Sequence, residues 1–503
     1  MDSIQQMQEW IQDCRDNHLE CNVGTTSELP SRLLKLSWLE ARGPSIKLEQ
    51  PEPSKEYRYV ALSHCWNFTN PLRTTKENQA AYLIRIPWDE LSEALQDSVM
   101  IALALNYTYM WIDSLCIIQN DAADWKKEAP RMGMIYNNAN VVFAAHGAEL
   151  FVQKRKPESI LDLHRLESPP IFCRQKMDHK AFFITPEDTH SWFGRAWCMQ
   201  ERIFAKRILH FGGPYEKDKE VVFECNTYVK CECSRIIEEL EPTGVHKHTL
   251  KANAAIIVPN EDINSITARN LAWRSYISSC EDYTARGLTY ASDTLSALSS
   301  LMKTFAPYLG KYYAGIWQHN LLLSLQWEAL DTGASSRGEK YVAPTFSWAS
   351  RSGAVIWYLG SAEDLTPESR IFPAILDVDC TLAGEDPFGQ VSGGYIKLRG
   401  YITEMRIESK GMCSPDGRLE MTKEGTESCY VTLDSIQDVE NLQVGASVVC
   451  LDIMRDRAEG KRYVSGLVIL PVASQNGCYR RIGFSTMLEE HFKDSSTQEV
   501  IIV

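Results

Sequence analysis

The chain has 503 residues, which at ~100–200 residues per domain corresponds to about two to four structural units. Its 44% apolar and 23% charged content is ordinary globular usage and excludes a disordered or fibrous chain. Lys+Arg 52 against Asp+Glu 66 gives a net charge of −14, an acidic surface that repels nucleic-acid phosphates and anionic membranes. With no basic stripe, no apolar run of membrane-spanning length and no signal-peptide pattern after Met1, the expectations are no nucleic-acid partner, no membrane and a soluble cytoplasmic protein.

Residues 1–56 read as an N-terminal extension: a short helix around Met7-Gln8-Glu9-Trp10-Ile11, then loop, closed by Pro51, Pro53 and Ser54. From 57 to 212, short apolar runs alternate with helical periods. Tyr59-Val60-Ala61-Leu62 predicts a buried strand, and Leu91, Leu95, Val99 and Leu103 share one helical face. Tyr109-Met110-Trp111-Ile112 predicts a second strand. Trp125, Ala129, Met132 and Tyr136 mark another helix, which Pro130 should kink. Val141-Val142-Phe143-Ala144-Ala145 is a third strand. Residues 151–190, with Pro157, Pro169, Pro170 and Pro186, read as an insertion; a helix over 196–205 and a strand over 207–211 follow. Residues 213–340 are expected to be mainly helical and residues 341–503 β-rich, with runs such as Tyr395-Ile396-Lys397-Leu398 separated by Gly and Asp turns.

Strand–helix alternation predicts an α/β domain built as a doubly wound parallel sheet, followed by a helical middle and a β-rich C-terminal region. In such sheets the ligand crevice lies at the carboxyl ends of the strands. Here those ends carry Ser63-His64-Cys65-Trp66, Asp113-Ser114 and His146-Gly147.

Three motifs stand out in order: Leu62-Ser63-His64-Cys65-Trp66, then Trp111-Ile112-Asp113-Ser114-Leu115-Cys116-Ile117-Ile118-Gln119, then Arg195-Ala196-Trp197-Cys198-Met199-Gln200-Glu201. Together they resemble L-S-[YH]-C-W, W-I-D-x-L-C-I-x-Q and R-x-W-x-x-Q-E, the motifs of the fungal heterokaryon-incompatibility (HET) domain. Trp125 and Met132 to Ala139 resemble the segment that connects the second and third. Ile118, where the family more often has Asp, and Asn67, where Gly is common, depart from the pattern.

The resemblance implies an intracellular effector of non-self recognition and programmed cell death, acting with a protein partner or by self-assembly. It also implies a likeness to the TIR (flavodoxin-like) fold, in which a first strand ends near Ser-His, a second ends in Asp, and a helix carries W-x-x-x-E. Leu62-Ser63-His64, Ile112-Asp113 and Trp197 to Glu201 follow that order. In NAD-cleaving TIR domains the glutamate sits by the nicotinamide ribose, so NAD enters as a candidate substrate. Glu201, Asp113 and His64 are then the candidate catalytic groups. A carboxylate stabilises the oxocarbenium-like state of glycosidic cleavage, and burial would bring its pKa near neutrality. Ser63, Cys65, Trp66, Ser114, Gln119, His146, Arg195, Trp197 and Gln200 are the candidate substrate-binding residues.

Two rival readings use the same residues. HET-like proteins also occur in fungal secondary-metabolite clusters, where the cleft would run acid–base chemistry on a small metabolite. A non-catalytic scaffold would use Trp197 for packing and Glu201–Arg202 as a surface ion pair. A thiol mechanism at Cys65 would need His146, because adjacent His64 points to the opposite face. Cys14, His18 and Cys21, or Cys225, Cys231 and Cys233, each supply three zinc ligands where a structural site wants four. Pooled, the two sets would suffice, but buried free thiols are the expectation, and no metal is assigned. Asp331-Thr332-Gly333 has no second copy and reads as a surface turn.

Overall fold

The computed structural model describes residues 3–23, 26–40, 43–64, 72–146, 192–212, 221–232, 265–357, 370–409, 418–458, 461–475 and 477–503. Cys65, Trp66, Cys233 and the insertion expected over 151–190 lie outside them. The chain divides into two compact units, Met1–Lys251 and Ala252–Val503.

The first unit is built on an eight-stranded mixed sheet in the order β2 (Gly43–Glu49), β1 (Leu33–Leu39), β4 (Tyr109–Ile112), β3 (Tyr59–His64), β5 (Val141–Ala145), β6 (Arg207–Phe211), β7 (Val221–Cys225) and β8 (Val229–Cys231). Its centre is β3 (Tyr59–His64), every residue of which is buried, as a continuous apolar run in a two-sided sheet requires. β4 (Tyr109–Ile112) and β5 (Val141–Ala145) flank it in parallel, and β6 (Arg207–Phe211) continues the parallel set beyond β5. The helix α2 (Glu93–Ala104) connects β3 to β4, with Leu95 and Val99 buried on one face. Between β4 and β5 lie a single turn, α3 (Asp113–Cys116), then α4 (Ala122–Glu128) and α5 (Met132–Asn138). Pro130 breaks the last two apart as a 3-10 turn, because its ring supplies no N–H to the helical ladder. α6 (Ala196–Phe204) precedes β6.

The edges differ from the sequence expectation. The N-terminal helix α1 runs over Ser3–Asn17. The stretch expected to be loop forms an antiparallel hairpin, β1 (Leu33–Leu39) with β2 (Gly43–Glu49), and β1 pairs with β4. The signal was the alternation of Leu34, Leu36, Ile46 and Leu48, whose registered pairs Leu34↔Leu48 and Leu36↔Ile46 are buried. Pro44 lies within β2, which is an edge strand, where proline is tolerated. At the other edge β7 (Val221–Cys225) and β8 (Val229–Cys231) add antiparallel strands. The parallel core is therefore four strands wide, with antiparallel borders.

Among the described residues, the second unit opens with helix α7 (Ile266–Thr284), N-capped by Ser265, and helix α8 (Ser299–Leu309). A nine-stranded sheet follows. Its longest strand, Val391–Ser409, pairs with Arg418–Thr422 and with Ser447–Ala458. Cys429–Leu433, Cys478–Leu488 and Lys461–Pro471 complete a closed circuit of six strands around a core that includes Met405, Met421, Val431, Val468 and Ile482. The β-rich C-terminal region is thus a closed antiparallel barrel, which leaves those strands without free edges. No described helix is long and apolar enough to cross a membrane.

Candidate functional site

The carboxyl ends of β3 and β4 and the buried face of α6 bring Ser63, His64, Asp113, Arg195 and Glu201 together. Successive residues of a strand point to opposite faces. Ser63 accordingly turns toward α6, where its Oγ donates to Glu201 Oε2 and accepts from Trp192 Nε1 at 2.7 Å. The indole is a donor only, so the Ser63 proton is directed at the carboxylate. Cys198 Sγ, one turn before Glu201, lies 3.9 Å from the same hydroxyl.

Glu201 is 6% exposed. Burial pushes its carboxyl up to about 7; nearby Asp113 adds to the rise, while the Ser63 hydrogen bond, Arg195 and Tyr136 oppose it. The Tyr136 hydroxyl beside it donates to the Leu62 carbonyl at 3.2 Å. Arg195, the residue preceding α6, donates to the His64 carbonyl at 2.8 Å and ties the helix start to the tip of β3.

His64 Nδ1 lies 3.8 Å from Asp113 Oδ1 and makes no hydrogen bond among the described residues. Burial holds the imidazole below its ordinary pKa, Asp113 opposing and Arg195 reinforcing, so it is neutral at pH 7. Asp113 accepts the Ser114 backbone N–H at 2.7 Å in the first turn of α3. The Ser114 side chain is fully buried and its hydroxyl is unpaired among the described residues.

Other predicted site residues have local work. The Gln119 amide donates to the Asp113 and Ile117 carbonyls at 3.0 and 3.2 Å, and its N–H donates to Thr74, closing the loop after α3. That loop is held from below by Asp124, which accepts from Ile118 N–H at 2.8 Å and pairs with buried Arg32. Trp197 is half-buried and meets Trp125 edge-on at 6.5 Å, whereas Gln200 is fully buried. His146 stands apart from the Glu201 group. It packs against Trp192 and Phe193, and its Nε2 lies 3.0 Å from His210 Nδ1. His210 Nε2 in turn meets Glu224 Oε2 at 2.7 Å, and Arg202 Nε lies 3.5 Å from the same oxygen. Glu201 and Arg202 therefore do not form a surface pair: both are buried, on separate networks.

Sequence reasoning did not single out Trp192, Tyr136, His210 or Glu224. Tyr136 was visible within the connecting segment, but nothing in its spacing marked contact with a glutamate 65 positions later. Among the described residues one set has metal-ligand character, Cys14, His18, Cys21 and Cys225, and it lies at the other end of the strands.

This arrangement can hold a carboxylate poised near neutrality beside a neutral imidazole, an aspartate and a guanidinium. Residues 59–201 match the family model described as Heterokaryon incompatibility protein (HET). No curated protein and no solved structure matches the chain.

Proposed function

With residues 59–201 forming a HET domain, which supports a heterokaryon-incompatibility-type role, we propose that this domain is a TIR-like effector whose strand-tip site cleaves NAD. The observation that carries the proposal is Glu201, a buried carboxyl raised to about 7 and oriented by Ser63 on the adjoining strand. The parallel strands run in the order β4-β3-β5-β6, the arrangement of a flavodoxin-like sheet, and this supports the TIR likeness.

In the proposed reaction the bond from ribose C1′ to the nicotinamide nitrogen breaks, and its electron pair leaves with the nitrogen, releasing neutral nicotinamide. The positive charge that develops on the ribose is stabilised by ionised Glu201. Water then adds to C1′ and its proton passes to solvent. His64, neutral and with Nδ1 making no hydrogen bond among the described residues, and Asp113 orient the ribose hydroxyls; Arg195 supplies positive charge for the pyrophosphate.

A second reading is favoured by the burial of Ser63, Trp192 and Glu201: a HET domain that signals by contact alone, with this hydrogen-bonded group as part of its core. Growth of cells overexpressing the chain separates the two. The NAD-cleaving reading expects arrest with the wild type and none with equally abundant Glu201→Gln; arrest by both would favour signalling by contact.

A further inference from the structure

Four ligand-type side chains from three elements converge at the amino-terminal end of the sheet. Cys14 lies on α1, His18 directly follows that helix at i+4, Cys21 closes the 3-10 turn Leu19–Cys21, and Cys225 ends β7. Their sulfur and imidazole nitrogen atoms all lie within 4.8 Å of one another. The three cysteines are buried and His18 is half-buried. Cys225 is registered against Arg207, the first residue of β6, so the cluster sits at the opposite end of the parallel strands from Ser63 and Asp113.

We propose that Cys14, His18, Cys21 and Cys225 form a structural zinc site of the Cys3His type, which clamps the N-terminal helix to the β6–β7 edge. This inference is independent of the proposed NAD chemistry. Three observations carry it. Zinc with bonds of about 2.3 Å to sulfur and 2.0–2.1 Å to nitrogen has a tetrahedral S···N edge of about 3.6 Å. Cys225 Sγ lies 3.5 Å from His18 Nδ1.

The sulfurs are also surrounded by donors, as thiolates require and neutral thiols do not. Arg207 Nε points at Cys14 Sγ at 3.2 Å, and the Thr227 and Tyr228 backbone N–H groups both point at Cys225 Sγ at 3.4 Å. Thr227 Oγ1 lies 3.7 Å from Cys21 Sγ. Finally, three thiolates and Zn2+ leave one negative charge, which the buried Arg207 guanidinium offsets. On binding, three thiol protons pass to solvent and four ligand–metal bonds form, with no redox change. A disulfide would use only two of the three sulfurs and would leave the imidazole without a task.

The cluster joins the whole of the first sequence set, Cys14, His18 and Cys21, to Cys225 alone of the second; Cys231 is outside it and Cys233 lies outside the described residues. The pairing of α1 with β7 could not be read from spacing, because Cys21 and Cys225 are separated by most of the first unit.

The test is metal analysis of the full-length chain, purified under reducing conditions without added metal. About one zinc per chain is expected, released by a mercurial that caps thiolates, with a lowered melting temperature. Cobalt exchange is expected to give the visible bands of a tetrahedral site and a thiolate charge-transfer band in the near ultraviolet. His18→Cys should keep the metal with an altered cobalt spectrum, and Cys116→Ser, a buried cysteine outside the cluster, should change nothing. A folded wild-type chain that takes up neither zinc nor cobalt overturns the proposal. So does a disulfide among these cysteines, or full zinc retention in folded Cys14→Ser/Cys225→Ser.

Discussion

Ser63 Oγ donates to Glu201 Oε2 across 138 residues of chain while accepting from Trp192 Nε1. That bond joins the tip of the central strand to the helix carrying the third motif and restrains the rise that burial imposes on the carboxyl.

A carboxyl at about 7 in the folded state, against an ordinary 4.5, keeps its proton longer folded than unfolded. Its contribution to stability is full below pH 4.5 and is lost as pH rises through about 7. The full swing is about 3 kcal/mol. Glu201→Gln has no charge to bury and will lack this fall. Urea midpoints at pH 5 and pH 8 check it: the variant should be the more stable protein at pH 8, and the difference should shrink at pH 5.

Ser63→Ala removes the acceptor of a buried indole N–H and the donor to Glu201. A loss of about 2 kcal/mol is expected. Because the Ser63 bond lowers the Glu201 pKa, the variant carboxyl should titrate above about 7, which side-chain NMR of the labelled glutamate would register.

How much of this was legible in the sequence follows from where each signal is carried. Strands β3 to β6 and helices α2 and α6 declare themselves through local periodicity, and the motifs placed Ser63 and Asp113 near strand ends and Glu201 on a helix. The hairpin of β1 and β2 was missed although Leu34, Leu36, Ile46 and Leu48 alternate, because its pairing with β4 joins residues far apart in the chain, Leu34 to Met110 and Lys35 to Tyr109. Gln119 and Trp197 carry motif identity, but one closes a loop and the other meets Trp125. Trp192, His210 and Glu224 were not legible at all, since their partners come from long-range pairing that no spacing encodes.

Asp124 accepts from both Arg32 and the Ile118 N–H, and so supports the loop that presents Asp113 and Gln119. Asp124→Ala leaves the 6% exposed Arg32 without its counter-charge and should cost about 3 kcal/mol in chemical denaturation. Replacing both partners, Arg32→Met with Asp124→Leu, should recover most of that loss.

Glu224 is shared by His210 and Arg202 in the core beside His146. Glu224→Gln keeps the shape but removes the charge facing buried Arg202, and a loss of about 3 kcal/mol is expected. This network is separate from Glu201, so the pH dependence of stability assigned to Glu201 should persist in the variant.

The proposed NAD cleavage requires ionised Glu201 to stabilise positive charge on a ribose. Nicotinamide release from NAD by the purified full-length chain, followed from pH 5.5 to 8.5, tests it most directly. Release should rise with pH through about 7, as Glu201 ionises, and be lost in folded Glu201→Gln. Absence of release by the wild-type protein, or release undiminished in Glu201→Gln, would contradict it.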